Sequence, residues 1–206
     1  MRSRYCQLVA RQRNQMARRE ALIEATYAAG REHGLRALSL TDVAKQAGLT
    51  RGAVLYYYDD LDSLLVEAHA AGVARFCDER DALVAATKDP RRQLGVAITA
   101  GLPTGPDDAL MRLLFELDVL AGNSELHEKL VQELDRRQLS TYQGIISAGQ
   151  REGVFTPTLS GNLVATTMVA LEDGYGLHIV ADRVTTHDIA ADGMRAVAAQ
   201  LGCPTV

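Results

Sequence analysis

The chain has 206 residues, of which 47% are hydrophobic and 23% are charged, and these fractions exclude a disordered, collagen-like or low-complexity protein. The net charge of −4 is uneven, because residues 1–58 hold ten basic and four acidic side chains (+6) whereas residues 59–206 hold twelve and twenty-two (−10). A basic first quarter beside an acidic remainder suits nucleic-acid binding by that quarter, and a solvated basic tail explains the charge equally well.

The chain offers no sign of secretion, membrane insertion or metal binding. The three cysteines Cys6, Cys77 and Cys203 lie too far apart for a zinc site or a disulfide framework. The N-terminus has no apolar run of signal-peptide length, and the most apolar stretch, residues 163–180, is interrupted by charged side chains. We therefore expect a soluble, cytoplasmic protein with no cofactor, no metal and no membrane contact.

A first helix is predicted from Met16 to His33, because alanine and leucine recur there at helical spacing and Gly34 follows. Residues 1–12 are expected to form a flexible basic arm. Arginines before and at the start of this helix would approach a DNA backbone or minor groove and make binding sensitive to salt. These are Arg2, Arg4, Arg11, Arg13, Arg18 and Arg19.

Two short helices joined by a tight turn come next. Ser39 and Asp42 have the spacing of a capping pair, which predicts a helix over residues 40–47. Gly48 breaks that helix, and Thr50 caps a third helix that runs to about Tyr58. Such a helix-turn-helix braces its first helix across the DNA backbone and holds its second in the major groove. Residues 13–60 are therefore the predicted DNA-binding domain.

Residues 38–65 resemble the DNA-binding signature of the TetR family of transcriptional regulators. Two positions depart from that signature, because Leu55 and Leu61 stand where the family often has a tyrosine and a lysine that bind phosphate. Either neighbours such as Tyr56, Tyr57 and the N-terminal arginines supply those contacts, or binding is weaker. The residues that match are Val43, Ala44, Ala47, Gly48, Leu49, Thr50, Gly52, Val54, Tyr57, Tyr58 and Leu64.

The predicted third helix is the one held in the major groove, and its side chains and those of the preceding helix have separate expected roles. Arg51 is expected to read a guanine, since its guanidinium fits O6 and N7 bidentately. Threonines at helix starts and tyrosine hydroxyls would bind phosphates, whereas Val54 and Tyr58, four residues apart, should face the core. The predicted DNA-binding residues are Thr41, Lys45, Thr50, Arg51, Gly52, Ala53, Tyr56 and Tyr57.

Residues 61–206 are predicted to form a larger all-α domain that binds an effector and dimerises. Breaks at proline and glycine divide it into six helices, about nine in the whole chain. The predicted ranges are 61–86, 91–101, 106–121, 124–151, 159–181 and 187–200. The TetR resemblance implies a homodimer through the last two helices, which carry small residues that allow close approach; the alternative is that they close the monomer core.

The resemblance also implies a cavity for a small molecule among these helices. Helical periodicity alone predicts only a core, so each residue named here has a purely structural alternative. An inward-facing Glu172 or His178 would orient a ligand within apolar walls. The candidate ligand residues are Met111, Phe115, Asp118, Tyr142, Ile146, Met168, Glu172, Tyr175 and His178.

Enzyme motifs are absent from the sequence, so catalysis is not expected. The function we predict is a ligand-responsive, homodimeric transcriptional regulator, a repressor that leaves its palindromic operator when a small molecule binds. The helix over residues 61–86 would act as the lever between the two parts. The alternative is a helical module for small molecules or proteins that has lost DNA binding, an interpretation that Leu55 and Leu61 favour.

Overall fold

The structure, a computed structural model, describes residues 2–122, 124–183 and 185–206. Within these ranges it contains nine α-helices and no β-strand, which confirms the predicted all-α class. The helices are α1 (Arg2–His33), α2 (Leu40–Gln46), α3 (Arg51–Val54), α4 (Leu61–Ala85), α5 (Pro90–Gly101), α6 (Ala109–Ala121), α7 (Glu125–Arg151), α8 (Gly161–Val180) and α9 (His187–Gln200).

Helix α1 is longer than the sequence pattern predicted. It begins at Arg2 rather than near Met16, so described residues 2–12 are helical where a flexible arm was expected. The physical reason is that neither proline nor glycine occurs between Arg2 and Ala29, and arginine, glutamine, leucine and alanine all favour helix. The side chains of Arg2, Arg4 and Arg11 lie outside the described residues.

The chain divides into two compact units, Met1–Ala71 and Gly72–Val206. The sequence placed the boundary after Asp60, at the start of α4. The difference arises because the first turns of α4 belong to the N-terminal unit, where Leu64 and Ala68 are fully buried. Helix α4 is therefore continuous through the division between the two units.

Short-range hydrogen bonds determine the geometry of the N-terminal unit. The Ser39 hydroxyl accepts from the Asp42 backbone N–H, and the Asp42 carboxylate accepts from the Ser39 N–H at 3.0 Å, a complete capping box at the start of α2. Gly48 has φ of 65°, a left-handed conformation that favours glycine, at the turn into α3. Regular helix ends at Val54, and turns rather than helix continue towards Tyr58.

The C-terminal unit packs around α7, which contacts α5, α6 and α8, while α9 packs on α8 and α5. Its main core joins buried side chains of four helices, α5, α7, α8 and α9, including Ile98, Tyr142, Met168 and Met194. A smaller cluster contains Phe76, Met111 and Leu114 with Val180. Residues of this smaller cluster line a cavity to which α4, α6, α7 and α8 all contribute side chains.

A membrane-spanning helix was not expected, and none of the described helices has both the length and the apolar character to cross a bilayer.

Candidate functional site

The residues around the start of α3 form an exposed surface. Thr50 is the N-cap, and its Oγ1 accepts from the Ala53 backbone N–H at 3.2 Å. Because that bond uses the oxygen as an acceptor, the hydroxyl hydrogen remains able to donate to a phosphate. Arg51 and Gly52 are exposed, and a Cβ added at Gly52 would meet nothing nearer than 4.0 Å. A base edge can therefore approach this turn closely.

The three consecutive tyrosines separate into two roles. Tyr56 is 66% exposed and Tyr57 is half-buried, and their rings meet edge to face with centroids 5.1 Å apart. Tyr58 is only 4% exposed and lies in the core with Leu22, Val43 and Val54. Burial raises the pKa of Tyr58 to about 12, with the nearby Glu67 adding to the shift. Tyr56 and Tyr57 are therefore the two tyrosines of this run that solvent reaches.

Arg19 has a structural role within the N-terminal unit. Its guanidinium donates to the Tyr57 carbonyl at 2.9 Å, pairs with the Glu67 carboxylate, and lies 4.7 Å from the centre of the Tyr58 ring. These contacts join α1 to the segment that follows α3. The sequence grouped Arg19 with arginines that approach DNA. In the structure its contacts instead hold Tyr57 and Tyr58, which follow α3, against α1.

Helix α2 presents Thr41 and Lys45 at its exposed surface. Between them Asp42 faces its own helix start, where the hydrogen bond from the Ser39 hydroxyl lowers the pKa of Asp42. The two positions that depart from the TetR signature offer no phosphate donor, since Leu55 is 37% exposed and Leu61 is half-buried. Every predicted DNA-binding side chain is nevertheless exposed or half-buried.

The cavity in the C-terminal unit has a volume of about 100 Å³ and combines apolar walls with acidic side chains. Phe76 comes from α4, Phe115 from α6 and Gln138 from α7. Its lining residues are Phe76, Met111, Leu114, Phe115, Asp118, Val131, Leu134, Asp135, Gln138 and Asp173. An aromatic and aliphatic enclosure with a few polar groups is the usual character of a small-molecule site.

A buried ion pair lies beside this cavity. Arg80 and Glu172 are 1% and 2% exposed, and the Arg80 Nη1 donates to Glu172 Oε1 at 2.7 Å. The same carboxylate accepts from Gln138 Nε2 at 2.7 Å and from the Tyr142 hydroxyl at 2.6 Å. Burial opposes the charge of Arg80, but the neighbouring Glu172 outweighs it and raises the pKa of Arg80. Glu172 is therefore fully engaged within the protein.

The carboxylates of the cavity lie at its rim, where they repel one another. Asp118, Asp135 and Asp173 are exposed over part of their side chains. Protein packed around the Asp173 carboxyl, together with the charge of Glu172, raises the pKa of Asp173 to about 7. The pKa values of Asp118 and Asp135 are raised for the same reasons, burial first and nearby acidic groups second.

The structure brings together three of the nine predicted ligand residues, since Met111, Phe115 and Asp118 line the cavity. The other six lie elsewhere. Tyr142, Ile146 and Met168 are core side chains, Glu172 belongs to the buried ion pair, Tyr175 packs against the core, and His178 is exposed on α8.

Sequence reasoning missed several cavity residues, namely Phe76, Val131, Leu134, Asp135, Gln138 and Asp173. Four of these lie on α7 at positions 131, 134, 135 and 138, the spacing of one helix face. That periodicity was the available signal. It indicated a buried face without showing that a cavity borders it.

Apolar side chains are exposed on α8 and α9. Leu163 and Leu177 on α8 are 50% and 46% exposed, and Ile189 on α9 is 57% exposed. Ala170 and Gly174 are also exposed on α8. Small and apolar residues of this kind allow helices of another subunit to pack closely.

Comparisons with known proteins agree with this geometry. The profile of the family described as "Bacterial regulatory proteins, tetR family" matches residues 22–68, which contain the whole helix-turn-helix. The chain is also 26% identical over 166 residues to the HTH-type transcriptional repressor BepR of Brucella suis. That alignment covers 76% of this chain and 78% of BepR.

Solved structures share the fold over nearly the whole length. A TetR transcription regulator from Haloarcula marismortui has a TM-score of 0.77 at 25% identity, with 91% of this chain and 97% of that chain covered. A transcriptional regulator from Saccharomonospora viridis, solved in complex with choline, has a TM-score of 0.81 at 21% identity. The latter comparison covers 88% of this chain and 95% of that chain.

Proposed function

This chain is a DNA-binding transcriptional regulator that belongs to the TetR family, and from that premise we propose that it is a homodimeric, ligand-released repressor. The observation that carries the proposal is the exposed recognition segment, in which Thr50, Arg51 and Gly52 face solvent while Val54 and Tyr58 hold the segment to the core. The repressor BepR supports the direction of the effect, since its alignment with this chain extends well beyond the helix-turn-helix.

In this proposal each side chain of the surface has a defined task. Arg51 reads a guanine in the major groove, and small Gly52 and Ala53 let the helix approach the base edges. Thr41, Lys45 and Thr50 contact phosphates, which fix the orientation of the protein on the duplex. The hydroxyls of Tyr56 and Tyr57 supply the phosphate contacts that Leu55 and Leu61 lack.

A second copy of the chain is part of the proposal. One short recognition segment contacts few bases, whereas two related by twofold symmetry read a palindrome whose half-sites lie about one DNA turn apart or a multiple of it. The exposed apolar side chains of α8 and α9 suit the required subunit contact. The complex would form in the cytoplasm.

The C-terminal unit would bind the releasing ligand in the cavity lined by α4, α6, α7 and α8. The choline complex of the Saccharomonospora viridis regulator supports a small-molecule ligand for a fold of this kind. Helix α4 is continuous from Leu61 to Ala85, with its first turns in one unit and the cavity residue Phe76 in the other. It is therefore the proposed route of communication, and the protein acts by binding rather than by catalysis.

The mechanism is a shift of population between a state that matches the operator and one that does not. A ligand that favours the second state weakens operator binding, and the operator weakens ligand binding by the same factor. Coupling between two binding sites of an allosteric protein is typically about 1–3 kcal/mol. Reciprocity gives a direct check, since ligand affinity must fall by an equal factor when saturating operator DNA is present.

The function is tested by selecting bound fragments from random and genomic DNA, followed by titration of the selected duplex at several salt concentrations. We expect a palindromic site and an affinity that falls steeply with salt, because bound phosphates release counterions. The alternative, a helical module without DNA binding, predicts no enriched sequence and no salt-dependent complex. Leu55 and Leu61 are the features that favour that alternative.

A further inference from the structure

The rim of the cavity carries negative charge that the protein itself leaves unbalanced. Among the described residues no arginine, lysine or histidine forms an ion pair with Asp118, Asp135 or Asp173. Arg80, a cation from the same unit, is already committed to Glu172 and does not line the cavity. Three carboxylates around one opening therefore favour a positively charged occupant over a neutral or anionic one.

A second, independent feature specifies what the cation must carry. Gln138 lines the cavity and is 4% exposed, and its Oε1 has no hydrogen-bond partner within the described structure. The orientation of this amide follows from chemistry, because Nε2 faces the Glu172 carboxylate and only the nitrogen end can donate to it. A buried acceptor without a partner is costly, so the site calls for a ligand N–H or O–H.

The walls exclude a bare metal ion as the natural occupant. Phe76, Leu114 and Phe115 present aromatic and aliphatic surface, whereas magnesium and calcium prefer oxygen ligands on all sides. Within the described ranges no three histidine, cysteine, aspartate or glutamate side chains converge as a metal-binding group. An organic cation fits better, because its apolar part can pack against these walls while its charge faces the carboxylates of the rim.

We propose that the cavity binds a protonated organic amine, whose N–H donates to Gln138 Oε1 and whose charge is balanced by Asp118, Asp135 and Asp173. The inference rests on the proposed function only in identifying the cavity as the effector site. It is narrower than a preference for any organic cation, because a quaternary ammonium has no N–H to offer Gln138. Phe115, which also lines the cavity, can add cation–π attraction for the same charge, whereas the Phe76 ring already has the Arg80 guanidinium 5.0 Å from its centre.

The test is a calorimetric titration of the full chain, free of DNA, with four probes that share one alkyl chain. Butylammonium, which is protonated at pH 8, is compared with butanol, butyrate and butyltrimethylammonium. We expect butylammonium to bind about tenfold or more tightly than each of the other three. Equal binding of butanol overturns the role of charge, and equal binding of butyltrimethylammonium overturns the role of the N–H.

Variants of the rim test the residues themselves. Asp135→Asn is expected to weaken butylammonium binding by up to about fivefold, as for a partly exposed ion pair. Gln138→Met should remove the preference for butylammonium over butyltrimethylammonium. The matched control is Asp182→Asn, an exposed aspartate outside the cavity whose φ of 50° asparagine also accepts. Unchanged butylammonium binding by Asp135→Asn together with an unchanged preference in Gln138→Met, with melting temperatures preserved, overturns the proposal.

The failure of this inference is distinguishable from failure of the proposed function. Calorimetry without DNA decides whether the cavity takes an amine, and titration of the selected operator decides whether the chain is a repressor. A chain that binds operator but no amine retains its function with another ligand class. A chain that binds amine but no DNA retains the site and loses the repressor role.

Discussion

At the scale of single residues, exposure distinguishes the side chains that are proposed to contact DNA from those that hold them in place. Arg51 and Arg19 lie in the same unit, yet Arg51 is exposed whereas Arg19 is tied to the Tyr57 carbonyl and to Glu67. The first is free to read a base. The second supports the chain that presents the tyrosines, so loss of either would weaken DNA binding for different reasons.

Replacement of Arg51 by alanine tests direct reading of the operator. Loss of a bidentate guanine contact should cost about 1–3 kcal/mol of binding free energy and relax sequence preference at one base pair of each half-site. Fluorescence anisotropy with the selected duplex and single-base variants measures both effects. Arg151→Ala, which removes an exposed arginine of the C-terminal unit, is the matched control and should leave binding unchanged.

Asp173 should make stability depend on pH near neutrality. Its folded-state pKa is about 7 against an ordinary value of 3.8, so between these two pH values the folded protein holds a proton that the unfolded chain has released, and above them Asp173 is ionised in both states. Stability from this group is therefore greatest at low pH and falls as pH rises from about 4 to 7. The groups that act on it are Glu172, Asp135, Asp118 and Gln138.

Substitution of Asp173 by asparagine removes that dependence. The variant should melt above the parent protein at pH 8, because the parent then carries an unfavourable charge, and the difference should shrink at pH 5. Thermal melts of both proteins at the two pH values measure it. If the melting temperatures of parent and variant differed by the same amount at pH 5 and pH 8, the charge of Asp173 would not be the cause of the difference.

At the scale of helices, most boundaries come from local chemistry, whereas close packing limits which side chains a position accepts. The predicted start at Ser124 is confirmed, since its hydroxyl caps α7, and Gly34 follows α1 with φ of 71°. At the end of α5, Gly101 contacts a partner far along the chain. A Cβ built there would lie 2.3 Å from Glu172 Oε2, within the buried ion pair.

Alanine at Gly101 should therefore destabilise the C-terminal unit. Glu172 is held by Arg80, Gln138 and Tyr142, so it cannot move aside without breaking one of these contacts. Overpacking of this kind typically lowers the free energy of unfolding by about 1–3 kcal/mol. In a chain of this size each kcal/mol lowers the melting temperature by roughly 2–4 °C.

Gly144→Ala is the matched control for Gly101→Ala. Gly144 lies within α7, and a Cβ there would meet nothing within 4 Å. Alanine at an open helical position should stabilise the protein by about 0.5–1 kcal/mol, because glycine loses more backbone entropy on folding. Opposite signs for the two variants in one thermal melt would confirm that contact with Glu172, rather than helix propensity, determines the outcome at Gly101.

At the scale of the whole molecule, charge and apolar surface are segregated along the sequence. Residues 1–58 carry +6 and the rest carries −10, so a DNA duplex attracts the N-terminal part and repels the remainder. The exposed leucines and isoleucine of α8 and α9 form the surface that is proposed here to contact a second copy. The operator complex proposed here requires both features in one dimer.

Glutamate at Leu177 tests the dimer. A charge introduced into a packed subunit contact should yield a monomer by sedimentation and weaken operator binding by about a hundredfold or more, since the two half-sites are no longer bound together. Leu126→Glu, at another exposed leucine that is 56% accessible on α7, is the control and should remain dimeric. A dimeric Leu177→Glu protein would place the subunit contact elsewhere.

The sequence by itself determined the features that depend on neighbours within a few residues. Capping by Ser39 and the glycine turn at Gly48 involve contacts across at most five positions, so their spacing was sufficient to predict the helix-turn-helix. The sequence pattern did not predict the full length of α1, because residues 1–12 were expected to form a flexible arm and not a helix. Helix-favouring residues extend α1 through described residues 2–12 instead.

Only the tertiary structure decided which apolar and acidic residues surround the cavity. Arg80 and Glu172 are 92 positions apart, and no local pattern pairs them or removes Glu172 from the ligand site. Asp173, its neighbour in sequence, lines the cavity instead. Adjacent residues of a helix point in different directions, so what each contacts depends on which part of the chain packs against its face. That packing results from burial of apolar side chains distant in sequence and not from hydrogen bonds between neighbours along the chain.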